Sequence, residues 1–383
     1  MSAFTLRPTL PLASSLVAIA LALLTGGLFL EARGNDALAA YRILFDAGFG
    51  DVDGVTETLK KSAPLLIVGA GLLIALKAGV WNIGIDGQVL IGALCAGVVG
   101  PELAGNLPNM LMLPLVALAG FAGGLAWAVV PGVLRVRWGL NEIITTLMMN
   151  YVALNVTAWL VRGPAKDPNV VPPQTRLIPR EHRLPDVPGT EVHVGLVLGL
   201  LVVLAVFVLF RATVPGFMLS ILGRNRRAAA HAGMPVGRLT LAALLLSGGC
   251  AGLAGAIDVL SVKGLFQGNW NPGYGFTAFA LVYLARLSSL WLIPFAVAFA
   301  ALIVGGDVMP RRAGIPTYYV EMLEGLMLLF FAVAVYLERT WASRRLSSVG
   351  PKGRMRGVSC FARREGAGPS PTTTRPSKSR GDP

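Results

Sequence analysis

Charged side chains are scarce in this sequence. They make up 14% of its 383 residues, against about 25% in a soluble globular protein. The chain is instead 54% hydrophobic, with a mean hydropathy of +0.66. Apolar runs of about 20 residues recur, and each is long enough to cross a bilayer as a helix. The composition therefore excludes a soluble globular domain and predicts a polytopic, all-α membrane protein.

Residues that build metal and catalytic centres are also few. No pair of cysteines has the spacing of a metal site, and no Walker-type phosphate-binding loop is present. A membrane enzyme is therefore the weakest interpretation, and no cofactor or metal is expected to bind this chain directly. The cysteines and histidines are Cys95, Cys250, Cys360, His182, His193 and His231.

About ten apolar segments are predicted to cross the membrane, the first of them as an uncleaved helix. Residues 1–337 then form one transmembrane domain, and residues 338–383 form a basic, disordered tail. The predicted spans lie near residues 11–30, 63–80, 87–101, 109–131, 142–161, 193–210, 239–257, 274–287, 290–306 and 318–337.

The tail supplies most of the net charge of +13. Residues 339–383 hold eleven Lys and Arg and two acids, which leaves +9 in the tail. Contact with anionic lipid headgroups explains such a segment. Nucleic-acid binding is not expected, because no aromatic interleaving or folded module accompanies the charge.

Basic loops predict which side of the membrane each segment faces. The loop 211–238 has five arginines and no acid, and Arg135 and Arg137 stand in another short basic loop. Short loops rich in Lys and Arg stay in the cytoplasm. Ten spans place both loops, the N-terminus and the tail on that side, and place residues 31–62 and 162–192 outside.

A short sequence echo suggests two inverted repeats. "WNIG" at 81–84 recurs as "WNPG" at 270–273, and each follows one apolar span and precedes another. In the predicted topology the first lies toward the cytoplasm and the second toward the outside. Repeats related by an axis in the membrane plane have this relation.

The segment "GVWNIGIDGQVLIGAL", residues 79–94, carries unusual polarity for a membrane helix. Asn82, Asp86 and Gln88 stand among four glycines. Polar groups at membrane depth face other helices or a water-filled cavity. One interpretation is a polar strip on a solute path, and the other is adhesion between helices. The residues alone do not decide between them.

A second polar group occurs in "WGLNEIITTLMMNYVALN", residues 138–155. Asn141 and Thr145 share a helix face, as do Glu142 and Thr146, and Asn150 follows. Asn141 is equally suited to cap the helix, with Glu142 complementing its dipole. That alternative does not account for Thr145 or Asn150.

Two further segments have recognisable helix signals. In "LGRNRRAAAHAGMPVGR", residues 222–238, a short alanine-rich helix lies between Asn225 and Gly233, in a basic loop. Its small face suits a groove on another protein, and an ordinary basic loop is the alternative. In "LSGGCAGLAGAIDVL", residues 246–260, glycines at three- and four-residue spacing predict a helix-packing face.

These four segments are preceded by "TLKKSAPLLIVGAGLLIALK". In combination and order, they resemble permease subunits of bacterial ABC importers. The resemblance runs from about residue 57 to 337, and the nearest subgroup serves nucleosides and simple sugars. This chain has Asp86 where the family usually has Glu. It also lacks the Arg that the family often has near Ser220 and the Gln near Pro310.

The resemblance implies an inner-membrane subunit whose partner subunit binds ATP and Mg²⁺. Further expected partners are a second permease, an extracytoplasmic solute-binding protein, the small-molecule solute and membrane lipid. Residues implied to contact the ATPase are Gly223, Asn225, Ala228, Ala229 and Gly233. Residues implied to border the solute path are Asn82, Asp86, Gln88, Asn141, Glu142, Thr145, Asn150, Asn269 and Asn271.

The resemblance also favours a nucleoside as the solute. Amide and hydroxyl groups suit a base and a ribose, but they suit a simple sugar equally. An ion-coupled secondary transporter is the remaining alternative, with Asp86 and Glu142 as proton carriers.

Overall fold

The computed structural model describes residues 10–348, and within them the regular structure is helical. The all-α prediction is confirmed. The helices are α1 (Leu10–Ala32), α2 (Ala37–Phe45), α3 (Val52–Lys77), α4 (Ile85–Leu103), α5 (Asn109–Trp138), α6 (Glu142–Arg162), α7 (Gly195–Ala212), α8 (Val214–Arg224), α9 (Arg226–His231), α10 (Val236–Asp258), α11 (Tyr274–Leu284), α12 (Ser289–Ala313) and α13 (Tyr318–Ser348).

Nine helices in this part of the chain are long and apolar enough to cross a membrane. The predicted span at 274–287 differs, because α11 has only 11 residues. At about 1.5 Å per residue it covers roughly 16 Å, about half of the hydrocarbon core. Gly273, at φ 66°, precedes it, and Arg286 and Leu287 adopt positive φ just after its end. These backbone turns cut the apolar run into a short helix followed by α12.

Glycines let the central helices approach closely. A Cβ on Gly92 of α4 would lie 2.1 Å from the Gly252 oxygen of α10. A Cβ on Gly124 of α5 would lie 2.2 Å from the oxygen of Gly248. The predicted packing face at 246–260 is therefore confirmed, with α10 in contact with both α4 and α5. Small residues of this kind drive helix association where lipid is the solvent.

α3 and α10 are buried along most of their length, whereas α5, α6 and α7 expose large apolar side chains. Such exposed faces suit contact with lipid or with another membrane subunit. The compact unit ends at Ala334. Of the predicted tail, residues 349–383 lie outside the described residues, and α13 continues as helix to Ser348.

Candidate functional site

Buried amide side chains stabilise the non-helical segment between α3 and α4, residues 78–84, which we call the break. Asn82 Nδ2 donates to Gln88 Oε1 at 2.8 Å and to Ser247 Oγ of α10 at 3.0 Å. Gln88 Nε2 donates back to Asn82 Oδ1 at 3.2 Å. All three side chains are buried. This packing favours the helix-adhesion interpretation for Asn82 and Gln88, and their place on a solute path stays a prediction.

Helix α6 binds the same break from its other side. Asn150 Oδ1 accepts from the Gly87 amide, and its Nδ2 donates to the Ile83 oxygen, both at 2.8 Å. The Ile83 amide donates to Thr146 Oγ1 at 3.2 Å. A Cβ on Gly84 would lie 2.9 Å from the Thr146 oxygen. Glycine at this position therefore permits the contact between α4 and α6.

Asp86 joins two helix N-termini. It lies in the first turn of α4, and its Oδ1 accepts from the Gly275 amide of α11 at 2.6 Å. The partial positive charge of each N-terminus favours a carboxylate there. Asp86 is also partly exposed, unlike Asn82 and Gln88. Its place on a solute path stays a prediction, as it does for Asn82 and Gln88.

A second acid contacts the first turns of α11, and the sequence reasoning missed it. Thr277 Oγ1 donates to Glu324 Oε2 of α13 at 2.7 Å, and Glu324 is 3% exposed. An ionisable residue inside a predicted span is a signal that was present in the sequence. The N-terminal part of α11 is thus held by one carboxylate from α4 and one from α13.

The residues that open α6 stabilise its first turn. Asn141 is the N-cap and accepts from the Ile143 amide at 3.0 Å, so the capping alternative is confirmed for it. Glu142 pairs with Arg135 of α5 at 3.0 Å. Thr145 Oγ1 donates to the Asn141 oxygen at 3.2 Å. Asn141 is exposed and Thr145 partly so, whereas Glu142 is 8% exposed.

Asn269 and Asn271 lie in the exposed connection before α11, apart from the buried amides. Asn269 Oδ1 accepts from the Arg162 guanidinium at 3.5 Å. Asn271 Oδ1 accepts from the Gly273 amide at 3.2 Å, which shapes the turn that starts α11. The predicted path residues therefore form three separate groups. One lies at the break and the first turns of α4, one lies at the start of α6, and one lies in the exposed connection before α11. Their members are, in that order, Asn82, Asp86, Gln88 and Asn150; Asn141, Glu142 and Thr145; and Asn269 and Asn271.

An exposed row on α6 was not predicted. Tyr151, Asn155, Trp159 and Arg162 recur at three- and four-residue spacing and are all exposed, so they share one face. We call this row the α6 stripe. An exposed amide among apolar residues is unfavourable against lipid. The α6 stripe therefore suits a protein interface or a hydrated path.

The short helix predicted in the basic loop is present as α9. Asn225 caps it and accepts from the Ala228 amide at 3.0 Å. Gly233 follows at φ 74°, a conformation that favours glycine after a helix. Ala228 is exposed, whereas Ala229 is buried. The exposed side of α9 therefore combines the small side chains of Ala228 and Ala230 with the basic Arg226 and Arg227.

Gly223 connects this segment to the end of α3. A Cβ on Gly223 would lie 2.0 Å from the Lys77 oxygen and 2.9 Å from the Gly79 amide. The end of α8 therefore touches the residues that lead into the break at 78–84. The two backbones are in direct contact there, with no side chain between them.

Comparison with known proteins identifies the family. Residues 54–332 match the family described as "Branched-chain amino acid transport system / permease component". The chain belongs to this permease family. The permease is 34% identical to the glucose ABC transporter permease protein TsgB13 of Haloferax volcanii over 331 residues. The aligned region covers 83% of this chain and 86% of that relative.

Two further relatives are named for nucleosides. The guanosine ABC transporter permease protein NupP of Bacillus subtilis is 30% identical over 328 residues, 83% of this chain and 92% of its own. The nucleoside ABC transporter permease protein NupB of Lactococcus lactis is 26% identical over 336 residues, 84% and 91% of the two chains. The family and the apolar helices agree that the permease is a multi-pass membrane protein.

Proposed function

We propose that the permease forms the solute path of an ABC importer for nucleosides in the bacterial inner membrane. ATP, as its Mg²⁺ complex, is hydrolysed by a partner subunit, and the permease itself binds no nucleotide. Two relatives named for guanosine and nucleosides support this solute class. The observation that carries the proposal is the α6 stripe, because exposed aromatic and amide side chains in a membrane helix suit a base and a ribose.

The path runs between the α6 stripe of this permease and a second permease subunit. Asp86 borders it at the junction of α4 and α11, where it is partly exposed. Asn269 and Asn271 lie at the end that receives solute from a binding protein. Asn141 and Thr145 lie at the opposite end, beside the basic loops. Positive charge in those loops supports a cytoplasmic location for both termini.

The exposed side of α9 docks on the ATPase subunit. Ala228→Glu places a charge on that side without disturbing the cap at Asn225, so we expect it to abolish copurification with the ATPase. Gly233→Glu has the same effect but also strains the backbone at φ 74°. Gly233→Asn tolerates this φ and is the control. Wild-type copurification of Ala228→Glu would assign α9 to an ordinary loop.

Uptake competition tests the solute class. Cells that lack their own nucleoside carriers would express the permease with its partner subunits and take up labelled guanosine. We expect excess unlabelled adenosine to suppress uptake and excess glucose to leave it unchanged. The relative named for glucose makes simple sugars the second candidate. Suppression by glucose together with an absence of guanosine uptake would replace nucleosides with sugars.

A further inference from the structure

An apolar groove opens between α5 and α7, with α10 as its floor. Its volume is about 560 Å³, and its walls include Leu113, Leu118, Phe121, Leu198 and Leu253. This volume lies in the range of about 300–1,000 Å³ that ligand sites occupy. α7 packs mainly on α3, and α5 packs on α4 and α10. Among the helices of residues 10–348, none fills the space between α5 and α7.

The length of the groove matches one leaflet of a bilayer. Along α5 it runs from Asn109 to Phe121, a rise of about 18 Å at about 1.5 Å per residue. Half of the hydrocarbon core is roughly 15 Å thick. Leu118 is 60% exposed, so the groove is open toward the membrane. An acyl chain lying parallel to α5 has this length and this chemistry.

The mouth of the groove is charged. A second cavity of about 360 Å³ shares five lining residues with the groove and adds Arg180, Glu181, Arg183 and Asp186. Within residues 10–348, neither guanidinium forms an ion pair with a carboxylate. Burial lowers the pKa of Arg183, and the Arg180 charge lowers it further. Both guanidinium side chains line this one cavity, so both face the space that an anion would occupy.

Hydrogen bonds fix the segment that carries the charged residues of the mouth. His182 Nδ1 and Asn109 Oδ1 lie 2.6 Å apart, and Asn109 Nδ2 donates to the backbone oxygen of Glu181. Arg183 donates through Nε to the Ile178 oxygen at 3.0 Å. These bonds fix the 180–186 segment over the first turn of α5, so the charged groups and the groove form one preformed site.

We propose that this site binds one molecule of phosphatidylethanolamine. Its phosphate lies against Arg180 and Arg183, since guanidinium groups match phosphate oxygens in geometry and charge. Its ammonium lies against Glu181 and Asp186, and one acyl chain fills the groove. A headgroup with both charges fits a mouth that carries both. The site is on the leaflet that faces the 163–194 connection, and it is independent of the solute.

Native mass spectrometry of the purified, assembled transporter tests the proposal. Phosphatidylethanolamine would be added, with diacylglycerol and phosphatidylglycerol of the same chains in separate samples. We expect one retained phosphatidylethanolamine, weaker retention of phosphatidylglycerol and none of diacylglycerol. Arg180→Gln removes a charged donor and Ala117→Trp fills the groove, so each lowers retention about tenfold. Arg176→Gln, an exposed arginine of the same connection that lines neither cavity, leaves retention unchanged.

Three results would overturn the proposal. Equal retention of diacylglycerol would mean that the charged mouth recognises no headgroup. Retention at wild-type level in Ala117→Trp would place the lipid elsewhere on the surface. Absence of the lipid from the assembled transporter would mean that a second subunit covers the groove. Thermal unfolding of both variants checks that they remain folded.

Discussion

The two segments with the pattern Trp-Asn-x-Gly, residues 81–84 and 270–273, adopt different structures. In the first, Trp81 stacks on Phe279 at 6.2 Å, and Asn82 is fully buried among bonded side chains. In the second, Trp270 lies under the Lys263 ammonium at 5.0 Å, and Asn271 is exposed. Gly84 has φ −78° and Gly273 has φ +66°, although each is the residue before a helix.

The difference indicates unequal roles. The 78–84 break is bound by α6, α10 and the end of α8, so its displacement breaks several bonds at once. Residues 269–273 bond chiefly to their own neighbours in the chain. Segments with few such contacts open at lower free energy. We therefore expect the first break to move together with α8 and the second segment, residues 269–273, to open at lower free energy.

Asp86 is where the two segments meet, and its replacement should have the largest effect. Asp86→Asn keeps the shape but removes the charge that two helix N-termini stabilise. We expect the rate of ATP-driven uptake to fall at least about tenfold, because a charged hydrogen bond contributes about 1.5–3 kcal/mol. Asp86→Glu, the residue usual in the family, should retain most activity. Equal rates in both variants would return Asp86 to a purely structural role.

Gly223 tests the connection from α8 to the first segment. In Gly223→Ala the new methyl group meets the Lys77 oxygen, which must move. We expect uptake to fall several-fold while the ATPase subunit still copurifies. Gly237→Ala, whose new Cβ would lie 3.0 Å from Val136 Cγ1 rather than against backbone, is the control. Full uptake by Gly223→Ala would show that this contact carries no movement.

The paired asparagines test whether one segment is fixed and the other is not. Asn82→Ala leaves Gln88 and Ser247 without their partner, which costs about 1–3 kcal/mol of unfolding free energy. Asn271→Ala removes one exposed bond and should cost less than about 0.5 kcal/mol. Thermal unfolding in detergent compares the two. Similar losses in both variants would contradict the distinction.

A pH effect outside the membrane should be the smallest. Burial and the Lys60 charge lower the pKa of His193 below 6.5, and the Asp186 and Glu57 charges oppose this. The folded protein thus binds fewer protons here, so its stability is complete above pH 6.5 and declines as pH falls through the lower folded pKa. The melting temperature should fall less between pH 7 and pH 5 in His193→Gln. An identical decline in wild type and variant would refute this.

Much of the fold was predictable because apolar length and small-residue spacing report membrane helices directly. The start of α6 followed from Asn141, and the contacts of α10 from its glycines. The short α11 was not predictable, since its end depends on positive φ at Arg286 and Leu287, which no residue preference indicates.

The candidate site was less accessible to sequence reasoning. Polarity identifies Asn82, Asp86 and Gln88 as unusual, but it does not say which of them faces solvent. That distinction depends on the distant partners Ser247 and Gly275, which only the fold brings close. The α6 stripe required knowledge of which face of the helix remains uncovered.

The most direct test of ATP-driven import is uptake into vesicles that contain the assembled transporter. Labelled guanosine and the solute-binding protein would be supplied on the outer side, and ATP on the side of α9, with no proton or sodium gradient. The account predicts accumulation that requires ATP and is lost in Ala228→Glu. Accumulation that requires an ion gradient and proceeds without ATP would contradict it.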